Sequence, residues 1–237
     1  MTAVVQHGSC GYCAAHHLGL CQPMVDSEGL EALEATKFPS RLIEPDGIIY
    51  RQGDAADTVY NVISGWGALH RDLADGRRHI IRFLLPGALF GVEPKGALHS
   101  HGAFAITNMK LCKFPRAGID GLRRRFETFN ERFIWMLECE NHQAIETLTM
   151  IGQGTALERV ARVAWELASA ICHPLPVAIG AVLKAPLTQR HLADATGLTP
   201  IHVNRVLRRL REARVAEFHK GHMVVLDPDG LRSLAQA

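Results

Sequence analysis

Neither lysine nor arginine occurs in the first 36 residues of this 237-residue chain, so the positively charged start of a secretory leader is missing. No apolar run approaches the roughly 20 residues that a membrane-spanning helix needs. These absences lead us to expect a cytoplasmic protein with no membrane partner. Six cysteines in a reducing compartment do not make a disulfide framework. The net charge is only +2, so a nucleic-acid surface has to come from local clustering rather than from overall charge. There is no phosphate loop, no dinucleotide fingerprint and no catalytic constellation, and we expect no enzyme.

Against this background one stretch stands out. "HGSCGYCAAHHLGLCQP", residues 7–23, packs Cys10, Cys13 and Cys21 among three histidines and holds too few large apolar residues to fold by itself. A tight cysteine cluster in such a chain points to metal or redox chemistry. Zinc held by Cys10, Cys13, Cys21 and either His16 or His17 fits the residue types, as does a metal-free thiol arm that switches by disulfide formation. Cys139 and Cys172 fall in helical segments and read as small buried hydrophobes. His99 and His101 read as surface-loop residues.

From Leu42 to about Pro115, short apolar or alternating runs are broken by glycine, as in "TVYNVISGWGALHRDLADG". That grammar predicts an all-β barrel or sandwich. Between Arg123 and Ile151 proline and glycine vanish, and apolar residues recur at helical spacing through Phe126, Phe133, Leu137, Ala144, Leu148 and Ile151. A single helix of that length with a one-sided stripe predicts a dimer helix, the alternative being a helix that lies along the β core. Glu140 falls on its seam, where two like charges would oppose each other and make the dimer conditional.

The last third carries the clearest pattern. In "LTQRHLADATGLTPIHVNRVLRRLREARVAEFHKGHMVVL" Thr188 caps a short helix through Ala195, small Ala193 permits a close helix crossing, and Gly197 makes the turn. Thr199 caps a second helix with Pro200 at its first position. A hairpin wing follows at Lys220-Gly221. This predicts a winged helix-turn-helix on double-stranded DNA, with Ile201, His202, Asn204 and Arg205 at base edges. Arg205 suits bidentate contact with guanine. Thr188, Gln189, Thr199, Arg208 and Arg209 complete the expected DNA face. Residues 200–220 hold six basic side chains against Glu212 and Glu217, a local charge of +4.

A β-rich first domain, a long helix and a C-terminal winged helix-turn-helix, in that order, resemble the CRP/FNR superfamily of transcription regulators. "GDAADTVYNVISGWGAL" is similar to its β-roll, and "LADATGLTPIHVNRVLRRLRE" to its recognition motif. The resemblance implies an α+β chain with a cysteine-rich arm (1–25), a β-roll of jelly-roll type (26–120), a dimerisation helix (121–152) and a DNA-binding domain (153–237). It also implies a homodimer on a two-fold operator, working with RNA polymerase. In FNR-like members three arm cysteines and a fourth late in the β-roll ligate a [4Fe-4S] cluster that senses oxygen. The matching residues here are Cys10, Cys13, Cys21 and Cys112. Members that bind cyclic nucleotides have a Gly-Glu pair and then an Arg-Ser pair. This chain has Gly91 and Glu93 but no arginine between Arg82 and Arg116, so cyclic AMP is not the expected ligand. The FNR-like Glu-x-x-Ser-Arg reads Ile201-His202-Val203-Asn204-Arg205 here, keeping only the arginine.

Overall fold

The computed structural model describes residues 10–236. After a single 3-10 turn at Cys10–Tyr12 come α1 (Ser27–Thr36), β1 (Phe38–Ile43), β2 (Ile48–Tyr50), β3 (Thr58–Ser64), β4 (Gly67–Asp72), β5 (Arg78–Leu84), β6 (Leu89–Phe90), β7 (Gly102–Ala105) and β8 (Met109–Pro115). The helical half follows as α2 (Arg116–Arg125), α3 (Glu127–Gln153), α4 (Ala156–Cys172), β9 (Ala181–Lys184), α5 (Gln189–Thr196), α6 (Pro200–Glu212), β10 (Ala216–His219), β11 (His222–Val225) and α7 (Pro228–Ala235). Two compact units result. The first holds the chain up to Arg71 and Phe83–Asn141, the second Asp72–Arg82 and the chain from His142 onward, and α3 runs from one into the other.

The strands form the predicted β-roll, with two four-stranded sheets ordered β1-β8-β3-β6 and β2-β7-β4-β5. β8 pairs antiparallel with both β1 and β3, and β7 with β2 and β4. Side chains alternate across each strand, and one set fills the space between the sheets with Tyr60, Val62, Leu69, Leu84, Phe90, Met109 and Leu111. The other face of the first sheet has a second core. There Val59, Leu89 and Phe114 meet Ile119 and Leu122 of α2, Phe129, Phe133 and Met136 of α3, and Leu20 and Met24 of the arm. The arm that looked unable to fold alone is therefore part of a core made mostly by other elements.

Two helices stand where the sequence predicted one. Phe126 adopts extended backbone (φ −120°, ψ 107°) and donates its N–H to the Leu122 carbonyl, so α2 ends there and α3 starts afresh at Glu127. Its 27 residues extend roughly 40 Å. The break lets both helices lay apolar faces on the β-roll. Phe133 is almost fully buried by its own chain, with Phe126 and Leu137 packed around the same core. Those three serve the protomer's interior. The rest of the expected seam lies further along α3, with Glu140 and Ile151 half-buried and Ala144 and Leu148 exposed. Leu148 is 70% exposed, and Ile134, Trp135 and Ile145 are exposed apolar residues of the same helix that the seam had not included.

In the second unit α4 opens with a capping box between Thr155 and Glu158. Arg162 is buried between Glu146 of α3 and Glu166 of α4 and pairs with both carboxylates. Burial raises the Glu166 carboxyl above its ordinary value, even beside the Arg162 guanidinium. Strands β10 and β11 form the predicted wing, and β9 adds a third strand. α7 packs along α4. Neither β9 nor α7 was anticipated, because four and eight residues are too short to show a period.

Candidate metal centre and nucleic-acid interface

The four cysteines singled out from the sequence come together. Cys10, Cys13 and Cys21 on the arm and Cys112 on β8 line one cavity of about 330 Å³. Each sulfur is placed by a different local device. Cys10 sits in the 3-10 turn, where its N–H donates to Glu34 Oε1 at 2.7 Å. Cys13 donates its N–H back to the Cys10 carbonyl at 3.2 Å, and Met24 does the same to Cys21 at 3.0 Å. Cys112 faces Asn61 in the β3–β8 register. Asn61 is itself buried, and its Oδ1 accepts from Leu20 N at 3.4 Å, one residue before Cys21. Gly19 has to be glycine for this approach, since a Cβ there would lie 2.5 Å from Asn61 Oδ1.

The thiols sense one another. Burial pushes Cys10 up, and Cys21 well up, with neighbouring cysteines adding to both shifts. Cys112 is pushed up to about 12 by burial and then by Cys10. The ammonium of Lys37 faces this group, its Nζ donating to Cys10 Sγ at 3.1 Å. Burial alone would depress the Lys37 amine, but Cys10, Cys112 and Glu34 hold it above its ordinary value. Lys110 also lines the cavity. All six cysteines are free thiols. Among the described residues no three His, Cys, Asp or Glu side chains converge closely enough for a single metal ion. His16 Nε2 lies 3.1 Å from the Met24 carbonyl, and His17 is exposed. Four thiols spread around a cavity suit a polynuclear centre, in which each thiolate binds a different iron. The donor set present fits such a group.

The arm is also tied to α3. Arg132 donates from Nη2 to the Leu18 carbonyl at 3.1 Å and from Nε to the Gly19 carbonyl at 3.3 Å, and its guanidinium lies 4.3 Å from the Trp135 ring. Hydrogen bonds from a charged donor contribute about 1.5–3 kcal/mol each. Arg132→Ala should therefore lower amide-exchange protection in residues 15–24 by at least about tenfold, while the β8 amides keep theirs. Unchanged exchange in the arm would show that Arg132 does not hold it.

Lys37, Asn61, Arg132 and Glu34 escaped the sequence reading. Lys37 alone left a trace there, as the first cation after the basic-free start. Cys139 and Cys172, expected to be buried, are half-exposed. His99, expected on the surface, is buried at 2% exposure and stacks on Tyr50 with ring centroids 3.7 Å apart. His101 Nε2 lies 2.9 Å from Tyr50 Oη. In the same loop the Glu93 carboxylate accepts from Ser100 N at 2.9 Å and Ser100 Oγ at 2.8 Å. Arg116 Nη1 donates to the Glu93 backbone carbonyl. The loop's acidic side chain is thus engaged from within the loop itself.

The expected DNA-facing residues fall on one unit. Thr188 Oγ1 accepts from His191 N at 3.1 Å to cap α5, and Thr199 Oγ1 accepts from His202 N at 3.2 Å to cap α6. Gly197, between them, takes the left-handed conformation (φ 69°) that glycine adopts without strain. Ala193 packs against Val203, with Leu192 beside them, which seats α6 across α5. Val203, Val206 and Leu210 face inward, leaving Ile201, His202, Asn204, Arg205, Arg208 and Arg209 exposed along the outer side of α6. Thr188 and Gln189 are exposed at the start of α5. Arg208 Nε is paired with Glu212 Oε1 at 2.7 Å.

Comparison with known proteins follows this division. Residues 40–126 match the cyclic nucleotide-binding domain family and residues 158–234 the Crp-like helix-turn-helix domain family. The chain is 33% identical over 192 residues to the nitrogen fixation regulation protein FixK of Rhizobium meliloti, covering 81% of this chain and 84% of that one. It is 29% identical over 221 residues to the transcriptional activator protein FnrL of Cereibacter sphaeroides, covering 92% and 88%. Among solved structures, FixK2 from Bradyrhizobium japonicum superposes with a TM-score of 0.75 at 27% identity, over 85% of this chain and 98% of that one.

Proposed function

This chain belongs to the CRP/FNR family of DNA-binding transcription regulators, and from that premise we propose that it senses oxygen or redox state through a [4Fe-4S] cluster held by Cys10, Cys13, Cys21 and Cys112. The observation that carries the proposal is the cavity shared by those four thiols. When bound, such a cluster supplies an oxygen-labile, redox-active centre whose properties follow from its protein surroundings.

The chain's own residues connect that cavity to α3. Residues 13–21 are fastened at Asn61 on the β-roll and at Arg132 on α3. Loss of order between Cys13 and Cys21 therefore releases the Leu18 and Gly19 carbonyls from α3 and frees Arg132 beside the exposed Trp135. Further along α3, Ala144, Ile145 and Leu148 present an apolar face that a second copy of the chain covers in the dimer by which this family acts. Reading a two-fold operator takes two recognition helices about 34 Å apart, so a change in the dimer changes specific binding. RNA polymerase is the further partner of the promoter-bound dimer. Cyclic AMP is not the input, because Glu93 is engaged by Ser100 and no arginine lies between Arg82 and Arg116 to meet a cyclic phosphate.

The test is binding to a pool of random-sequence duplexes by protein kept anaerobic and by the same protein exposed to air. Selection of a two-fold sequence by the anaerobic protein, lost in air, is the expected result. Equal selection in both states would overturn oxygen sensing and leave the DNA-binding assignment intact.

A further inference from the structure

The end of α1 grips the arm at both ends of one cysteine. Glu34, in its last turn, accepts the Cys10 N–H, and Lys37, the residue that closes it, sends its ammonium to the Cys10 sulfur at 3.1 Å. The Lys37 backbone N–H is fixed to the Leu33 carbonyl at 3.0 Å, and Leu33 is fully buried in the core that also contains Cys10, Cys21 and Cys112. The lysine backbone is therefore anchored to the wall of the cavity. A strongly hydrated ammonium reaches a sulfur in an apolar setting only where negative charge compensates its desolvation. Glu34 on the same helix and the thiols of Cys10 and Cys112 supply that compensation at Lys37, and the two cysteines belong to the cavity wall.

Resting on the cluster reading above, we infer that Lys37 is a positioning and charge-balancing residue for the centre, donating to the sulfur of Cys10 and setting the centre's reduction potential and iron retention. Four thiolates gathered in a poorly solvated cavity repel one another, and a fixed cation at one sulfur offsets that repulsion. The reduced centre carries one more negative charge than the oxidised one, so a cation at the sulfur favours reduction. Hydrogen bonds to cluster sulfurs, net charge and solvent exposure are the levers by which proteins set such potentials.

The experiment uses full-length protein reconstituted anaerobically, as the parent and as Lys37→Met, Lys37→Arg and Lys95→Met. Lys95 lies exposed on a loop of the same unit and controls for loss of one charge elsewhere. Midpoint potential is read by spectroelectrochemistry, and iron loss to a chelator is followed without oxygen. Lys37→Met should move the potential to more negative values and release iron several-fold faster, whereas Lys37→Arg and Lys95→Met should stay near the parent. Lys37→Met that fails to load iron while Lys37→Arg loads also supports the inference. A loaded Lys37→Met protein with parental potential and iron loss would overturn it and leave the cluster reading standing. A parent chain that takes up no iron and sulfide would overturn both.

Discussion

Protein carrying Cys112→Ser, reconstituted anaerobically with iron and sulfide, is expected to emerge without a cluster, although Cys112 lies on β8, far in sequence from the other three cysteines. Its sulfur closes the cavity from the β-roll side, and no fifth cysteine among the described residues lines that cavity. A serine hydroxyl at the same place is a hard donor that holds its proton far more firmly than a thiol, so the fourth iron ligand is lost. The experiment also separates the two metals that the arm's residue types admit. Zinc bound by Cys10, Cys13, Cys21 and a histidine would not need β8 and would survive the change. Cys112 is nearly buried in the core, so an added hydroxyl costs about 1–3 kcal/mol of stability. Cys112→Ala avoids that cost, and parallel circular dichroism melts show whether the fold persists. The half-exposed Cys139, changed to alanine, should leave iron and sulfide at the parental level. Full loading of the folded Cys112 variants would refute the four-thiolate centre.

The second large effect is expected at the DNA face. Arg205→Ala should cost about 1–3 kcal/mol of specific binding for each half-site and relax selection at one base pair. A two-fold complex contains the residue twice, so the loss is counted twice against the full operator. Arg208→Ala is expected to behave differently. A phosphate contact there would weaken all sequences alike and flatten the salt dependence by about one unit of slope. The free protein already commits Arg208 to Glu212, and sharing that partner reduces the gain from a phosphate, so its effect should be the smaller of the two. Binding isotherms on selected and scrambled duplexes across a salt series distinguish the cases. An Arg205→Ala protein that weakens both duplexes equally would place Arg205 on phosphate.

The helix-turn-helix was legible because its cues are local. A capping threonine, a turn glycine, a proline at the first helical position and a small crossing residue each act within a few residues, and each is found in the role expected of it. The β-roll was legible as a class from its turn spacing, though not in its strand order, which depends on pairings such as β3 with β8 across nearly the whole domain. The long helix shows where periodicity misleads. Phe126 and Phe133 carry the right spacing for a seam, but spacing does not say which partner covers the stripe, and the β-roll was the nearer one. His99 failed for a related reason, since a polar loop residue was stacked under Tyr50 by strands distant in sequence. Cys112 could be grouped with the three arm cysteines only through the family resemblance, because nothing local links it to the arm. Asn61 and Arg132 act on the arm from 41 and more than 110 residues away, and no sequence pattern marks them.

The measurement that bears most directly on the account is the absorption spectrum of anaerobically purified full-length protein, with iron and acid-labile sulfide analysis, before and after air is admitted. The account predicts a broad visible band that bleaches in air and about four iron and four sulfide per chain. A colourless protein, prepared with adequate iron and sulfide, would contradict it.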